Sequence, residues 1–369
     1  MGLYIGLMSG TSMDAIDAAL VEFTDHQTQL IDFCKIPIPA LLSETLLKTR
    51  HRPVDLTLEE YGRLDVQLGK CFAEAALRLI RQAGKEEDIL AIGSHGQTIL
   101  HQPDGPDPFT LQIGDANTIA ALTRITTVAD FRGLDLAVGG QGAPLTPAFH
   151  QFQFRSNHIH RVVLNIGGIA NITILPPDRE RPVTGFDTGP GNALLDDWAM
   201  ENLGRPMDRD GQWAKTGKVH RLLLERLKAD PYFQAAPPKS TGRDRFNGEW
   251  LKAILNEFDP EPSAADVQAT LTRLTAETAA EAIQRYAPEV QEVLVCGGGA
   301  CNLELIRALN QALEGVPVHS TARYGLQPEC IEAVAFAWFA KCRLEGRTAN
   351  LPSVTGASRS MVLGAVYAG

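Results

Sequence analysis

Residues 3–23, LYIGLMSGTSMDAIDAALVEF, constrain this chain more than any other stretch. Leu3, Ile5 and Leu7 alternate with the period of a half-buried strand, and residues 16–23 are apolar and β-branched enough for a second strand. Between them, Ser9-Gly10-Thr11-Ser12 makes a small polar turn, where glycine's free dihedrals and short side chains let backbone N–H groups crowd an anion. Asp14 and Asp17 follow, and carboxylates beside a phosphate serve mainly to hold Mg²⁺, directly or through its waters. The same residues also suit an ordinary hairpin whose Ser, Thr and Asp do turn chemistry. The pattern recurs at residues 161–175, RVVLNIGGIANITIL, with Gly167-Gly168 in the place of Ser9-Gly10. Such an echo predicts two similar halves facing each other, each offering a phosphate hairpin to one cleft.

Length and composition agree with two packed domains. The chain has 369 residues, too many for one typical core, and 44% are hydrophobic against 21% charged, which excludes a disordered or fibrous protein. A boundary near residues 125–130 is expected, giving an α/β domain over 1–127 and another over 128–369. Net charge is −10 with no basic tract, so nucleic acid and anionic membranes are not expected partners. No stretch reaches the roughly 18 apolar residues of a spanning helix, and no secretory leader is read at the start, so a cytoplasmic protein is expected. Six cysteines show neither a CxxC pair nor Cys/His metal spacing and read as reduced; no set of direct metal ligands emerges.

Further candidates punctuate the chain. A helix is expected over 57–83, with Thr57 and Glu60 as a capping box and Tyr61, Leu64, Leu68, Phe72, Ala75 and Leu79 on one face. The apolar run 89–92 then delivers Gly93-Ser94-His95-Gly96-Gln97-Thr98 to a strand tip, where His95 would bind a substrate hydroxyl or satisfy the loop backbone. Arg132 precedes Gly139-Gly140-Gln141-Gly142, and its planar fork suits an oxyanion or a salt bridge to Asp130 or Asp135. Residues 185–192, GFDTGPGN, read as a rigid turn exposing Asp187 at a helix start, as a catalytic carboxylate or an N-cap. Lys239-Ser240-Thr241 lacks the preceding GxxxxG of a Walker A loop, which rejects that reading. A helix over 270–286 leads to a strand over 292–296, and Gly297-Gly298-Gly299 would bring a ring or phosphate close to the backbone, or simply make a tight turn. Glu332 starts the apolar helix 331–339, either partly exposed at its first turn or aimed at the cleft.

Taken together, GLMSGTSMDAID, IGSHGQTI, VADFRGLDLAVGGQGAP, LNIGGIANIT, GFDTGPGN, PKSTGR and VLVCGGGACN resemble the anhydro-N-acetylmuramic acid kinases over nearly the whole chain. The resemblance implies a two-domain actin/hexokinase-like ATPase fold of class α/β, with ATP in the interdomain cleft. It implies a bacterial cytosolic enzyme of cell-wall recycling that converts 1,6-anhydro-N-acetylmuramic acid, ATP and water to N-acetylmuramic acid 6-phosphate and ADP, with Mg²⁺ as cofactor and a homodimer as assembly. By position it makes Asp187 catalytic, with Glu332 as a further candidate. It assigns Gly10, Thr11, Ser12, Met13, Asp14, Ala15, Ile16 and Asp17 to the first phosphate loop, Gly167 and Gly168 to the second, and Gly297, Gly298, Gly299 and Asn302 to adenosine. Ser9, His95, Gln97 and Arg132 fall on the sugar side. Ala15 departs from the family's usual glycine, harmless only at negative φ. Met8 and Asn165 stand where the wider fold often carries aspartate, which leaves the metal ligands open.

Overall fold

The structure, a computed structural model, describes residues 2–10, 13–24, 28–51, 56–85 and 88–369. Thr11 and Ser12 of the expected phosphate loop lie outside the described residues. The strands of the first part are β1 (Gly2–Ser9), β2 (Ala15–Phe23), β3 (Thr28–Pro37), β4 (Ile89–Ser94), β5 (Gln97–Gln102), β6 (Phe109–Ile113) and β7 (Thr127–Ala129). Then follow β8 (Arg161–Ile166), β9 (Ile169–Leu175), β10 (Thr184–Pro190), β11 (Glu292–Cys296), β12 (Val318–Ser320) and β13 (Ala365–Tyr367).

Two compact units result, one built from residues up to Gln153 together with Cys330–Gly369, the other from Phe154–Glu329. In the first, the strand order is β13-β7-β4-β1-β2-β3; in the second it is β10-β9-β8-β11-β12. β1 pairs antiparallel with β2 and parallel with β4, just as β8 pairs antiparallel with β9 and parallel with β11. β2–β3 and β9–β10 are antiparallel, while β4–β7 and β11–β12 are parallel. The echo in the sequence is therefore one α/β topology used twice.

The expected boundary near 125–130 is corrected by this division. β7 joins the first sheet beside β4, β13 returns to pair with β7, and helix Ile331–Leu344 packs on β1, β2 and β4. Its approach is close enough to dictate sequence: a Cβ at Gly6 would meet the Ala333 carbonyl oxygen at 1.7 Å, and one at Gly93 that of Phe336 at 2.0 Å. Glycine in a strand interior otherwise weakens it, so these two mark backbone contact. A linear reading places the boundary where the first pattern ends and cannot see the chain come back.

On the other side of that sheet lies helix Leu58–Ala83, with the capping box at Thr57 and Glu60 and a left-handed Gly84 at its end. Leu64, Leu68, Phe72 and Leu79 join Leu3, Ile5, Leu7 and Ile16 in one core. In the second unit, Val162, Leu164, Ile172, Val293 and Val295 pack with Ala276, Ile283, Leu305 and Leu309. The helix expected from residue 270 begins earlier, as Ala264–Tyr286 capped by Ser263. Its added first turns bury the polar Gln268 beside Val267, which breaks the apolar stripe there. No helix of the described residues is long and apolar enough to cross a membrane.

Candidate active site

In the first unit, the ends of β1 and β4 carry most of the predicted polar residues. His95 N–H donates to the Leu7 carbonyl at 3.0 Å, which ties the two strand ends together. Its Nε2 lies 3.1 Å from Arg132 Nε and 3.0 Å from Nη2, and Nδ1 lies 2.9 Å from the Gly96 carbonyl oxygen. Since a guanidinium only donates, Nε2 is the bare acceptor and Nδ1 carries the proton. Burial, and then the Arg132 charge, push His95 down to about 3, so the ring is neutral. The ring thus satisfies the loop backbone, one of its two expected roles, and also holds the arginine.

Arg132 itself is drawn down to about 10 by burial, opposed by Glu332 and Asp135. Its Nη1 donates to the Gly142 carbonyl at 2.8 Å. Three of the five N–H donors are thereby engaged, by an imidazole nitrogen and a carbonyl oxygen, and two have no partner among the described residues. Asp130 and Asp135 are engaged elsewhere. Asp130 accepts from Gly133 N–H at 3.2 Å, and the fully buried Asp135 accepts from Gly142 N–H at 2.8 Å, Asn350 Nδ2 at 2.6 Å and Thr355 Oγ1 at 2.9 Å. Glu332 lies in the first turn of helix Ile331–Leu344 and is part-buried; burial and Asp17 raise its pKa, with Arg132 opposing. Asp17, on β2, is 3.4 Å from Lys35 Nζ.

Buried polar atoms without partners among the described residues mark the same strand ends: Ser9 Oγ, Ser94 Oγ and Gln97 Oε1. Ser94 was missed by the sequence reading, in which it was one more polar residue at a strand tip. In the adjoining hairpin Met13 is left-handed at φ 54° with its N–H on the Gly10 carbonyl at 3.2 Å, whereas Ala15 simply starts β2 and is not among the left-handed residues. Alanine in place of glycine there costs no strain. Asp14 is exposed, and Ile16 is buried in the core.

The second unit holds Asp187, and its setting corrects the expected turn. Residues 184–190 form the edge strand β10, with the register shifting between Asp187 and Gly189. The following helix, Asn192–Leu203, is capped by Gly191 with no side-chain bond, so Asp187 is not an N-cap. Instead its main chain donates N–H to Lys239 O at 3.2 Å and accepts at its own carbonyl from Tyr232 OH at 2.7 Å. Lys239 Nζ closes the ring by donating to Tyr232 O at 3.0 Å. One carboxylate oxygen, Oδ2, accepts from Thr241 N–H at 3.0 Å, while Oδ1 has no hydrogen bond among the described residues. Burial lifts the group to about 6, against the lowering effects of the Thr241 N–H and Lys239. This is an ionised carboxylate at neutral pH that is a stronger base than an ordinary aspartate.

Around it the glycines divide by purpose. Carbonyls of Gly167 and Gly168 accept from the N–H groups of Gly191, Asn192 and Ala193 at 2.8–3.1 Å, so this hairpin turn is tied to a helix start. A Cβ at Gly297 would stand 2.4 Å from Asn165 Oδ1, and one at Gly299 2.4 Å from Ile166 Cγ2; internal packing demands both. Gly298 is exposed, with nothing nearer to a Cβ than Asn192 Nδ2 at 3.8 Å. Asn302 caps helix Leu303–Ala312, its Oδ1 accepting from Leu305 N–H at 3.1 Å. Beside that helix start opens a cavity of about 620 Å³, lined among others by Lys215, Lys218, Arg273, Leu303 and Arg307.

A sequence profile described as anhydro-N-acetylmuramic acid kinase matches residues 2–369. An anhydro-N-acetylmuramic acid kinase of Coxiella burnetii is 52% identical over 369 residues, covering 99% of this chain and 97% of that one. Another from Xanthomonas campestris pv. campestris is 50% identical at the same coverage. Among solved structures, an activator of 2-hydroxyisocaproyl-CoA dehydratase from Clostridium difficile with bound ADPNP aligns at TM-score 0.48 and 12% identity, over 93% of this chain and 96% of that chain. That likeness is too distant to add to the sheet orders, but the profile and the sequence identities settle the family: this chain belongs to the anhydro-N-acetylmuramic acid kinases.

Proposed function

We propose that the chain opens the anhydro bridge of 1,6-anhydro-N-acetylmuramic acid with water while ATP phosphorylates the released O6, giving N-acetylmuramic acid 6-phosphate and ADP. Its family makes it an ATP-dependent carbohydrate kinase. The observation that carries the hydrolytic half is Asp187, held at Oδ2 and open at Oδ1, with its pKa lifted to about 6. A general base is most effective when its pKa lies near the working pH, because it is then both ionised and basic. Water forms the new bond at C1 and gives its proton to Oδ1; the C1–O6 bond breaks, and O6 attacks the γ-phosphorus as ADP departs. The phosphoryl group captures the leaving oxygen, so no separate acid is needed. One base therefore serves both bond changes.

Recognition of the sugar is assigned to Ser9, Gln97 and Arg132, with His95, both of whose ring nitrogens are engaged, acting through the arginine it holds. The two uncommitted N–H donors of Arg132 suit the lactyl carboxylate, because a rigid fork held by a neutral ring keeps its charge for an incoming anion. Glu332, with its raised pKa, completes that polar group. The first hairpin and the Gly167-Gly168 turn are assigned to phosphates, and the Gly298 face with the adjoining cavity to adenosine. Mg²⁺ would be carried mainly on the nucleotide phosphates and its own waters. Asp14 and Asp17 would then hold its water shell, and Mg²⁺ would supply neutralisation of phosphate charge. Use of ATP supports a reaction in the cytoplasm, where it would serve peptidoglycan recycling.

A single turnover in ¹⁸O-labelled water tests the proposal. Mass spectrometry of the promptly quenched product should find one labelled oxygen at C1 and none in the phosphate. An unlabelled, still-bridged phosphosugar would identify an ordinary hydroxyl kinase instead.

A further inference from the structure

Thr241 closes the polar segment that runs beside β10, and its N–H is the group that holds Asp187 Oδ2. Its hydroxyl oxygen is buried and has no hydrogen-bond partner among the described residues. An unpartnered hydroxyl taken out of water is a standing cost to a folded protein, and native structures seldom tolerate one without a use for it. Three covalent bonds separate Oγ1 from the nitrogen on Oδ2, which confines the hydroxyl to the neighbourhood of the carboxylate. Asp187 Oδ1 and Thr241 Oγ1 are thus two acceptors without partners among the described residues, on two residues joined by the Thr241 N–H bond to Oδ2.

We propose that Thr241 is a second catalytic contact of the reaction, its hydroxyl oxygen holding the same water that Asp187 deprotonates. Water has two protons to give. One goes to Asp187 Oδ1 and is transferred; the other rests on Thr241 Oγ1 and stays with the oxygen, which leaves a lone pair aimed away from both and toward C1. The inference rests on the reading of Asp187 as the base and adds to it the means by which the nucleophile is oriented.

Thr241→Val keeps the branched shape and the N–H on Oδ2 but removes the hydroxyl; Thr241→Ser keeps the hydroxyl. With Asp187→Asn as reference, kcat, both KM values, the pH–rate profile and the melting temperature are measured for all three. Thr241→Val should lose about 10-fold or more in kcat, with KM for ATP and the acid limb of the profile unchanged. Its melting temperature should be unchanged or higher, because no native bond is lost. Thr241→Ser should stay within about threefold of the parent in kcat. A Thr241→Val kcat within twofold of the parent overturns the proposal. So does a loss accompanied by a lower melting temperature, a moved acid limb or an equal loss in Thr241→Ser, each of which marks a packing role. Should Asp187→Asn keep its turnover, the reading of Asp187 fails first and the role of Thr241 falls with it.

Discussion

Asp135 and Asp187 look alike in the sequence, each a few residues ahead of a glycine-rich run, and the fold treats them oppositely. Asp135 is fully buried and takes hydrogen bonds from Gly142, Asn350 and Thr355. These tie the 139–142 loop to the C-terminal segment, and Gly142 in turn holds Arg132. Asp187 takes one bond on one oxygen and leaves the other open, at a pKa lifted to about 6. A carboxylate surrounded by donors is a fixed part of the scaffold, and one half-supplied with donors keeps a lone pair for chemistry. The difference lies in partners from remote parts of the chain.

The largest expected effect separates them by rate. Asp187→Asn should lower kcat by about 10² to 10⁴, since amide cannot accept the water's proton, while the KM for ATP stays near that of the parent. Steady-state assay with both substrates checks this; a similar kcat loss in Asp135→Asn without unfolding would erase the distinction. Next comes stability. Asp135→Asn must turn its amide NH₂ against a donor, leaving a buried group unpaired at a cost of about 2–4 kcal/mol, to be read from the urea midpoint. An unchanged midpoint would mean that the Asn350 and Thr355 bonds contribute little.

How much of this was legible depends on distance along the chain. Local features were readable: the strand at Leu3, Ile5 and Leu7, the capping box at Thr57 and Glu60, and the strand leading to Gly297 are all present, although β1 is not half-buried but covered on both faces, by helices Leu58–Ala83 and Ile331–Leu344. The doubled topology was visible as an echo because each hairpin is contiguous in sequence. What failed was long-range. The boundary went wrong because residues 330–369 pack with the first unit, and GFDTGPGN read as a turn because nothing local shows it pairing with β9. The glycines were seen, but not their reasons: Gly297 and Gly299 make room for Asn165 and Ile166, and only Gly298 faces open space. Thr241 and Ser94 stood inside the motifs PKSTGR and IGSHGQTI but were given no role of their own, since an orphaned hydroxyl becomes visible only when its surroundings are known.

Stability of Asp187→Asn against the parent, measured across pH, tests the central claim most directly. Burial raises this carboxyl from 3.8 to about 6, so the fold opposes its ionisation. Stability is then fully present below about pH 4 and is lost as pH rises through about 6, by at most on the order of 3 kcal/mol at pH 8. The asparagine variant escapes that loss while keeping an acceptor for Thr241 N–H. Its melting temperature should therefore match the parent's near pH 4 and exceed it near pH 8, in a protein that has lost its turnover. A variant that melts below the parent near pH 8, with turnover largely kept, would show that the Asp187 charge is a structural anion and contradict its assignment as the base.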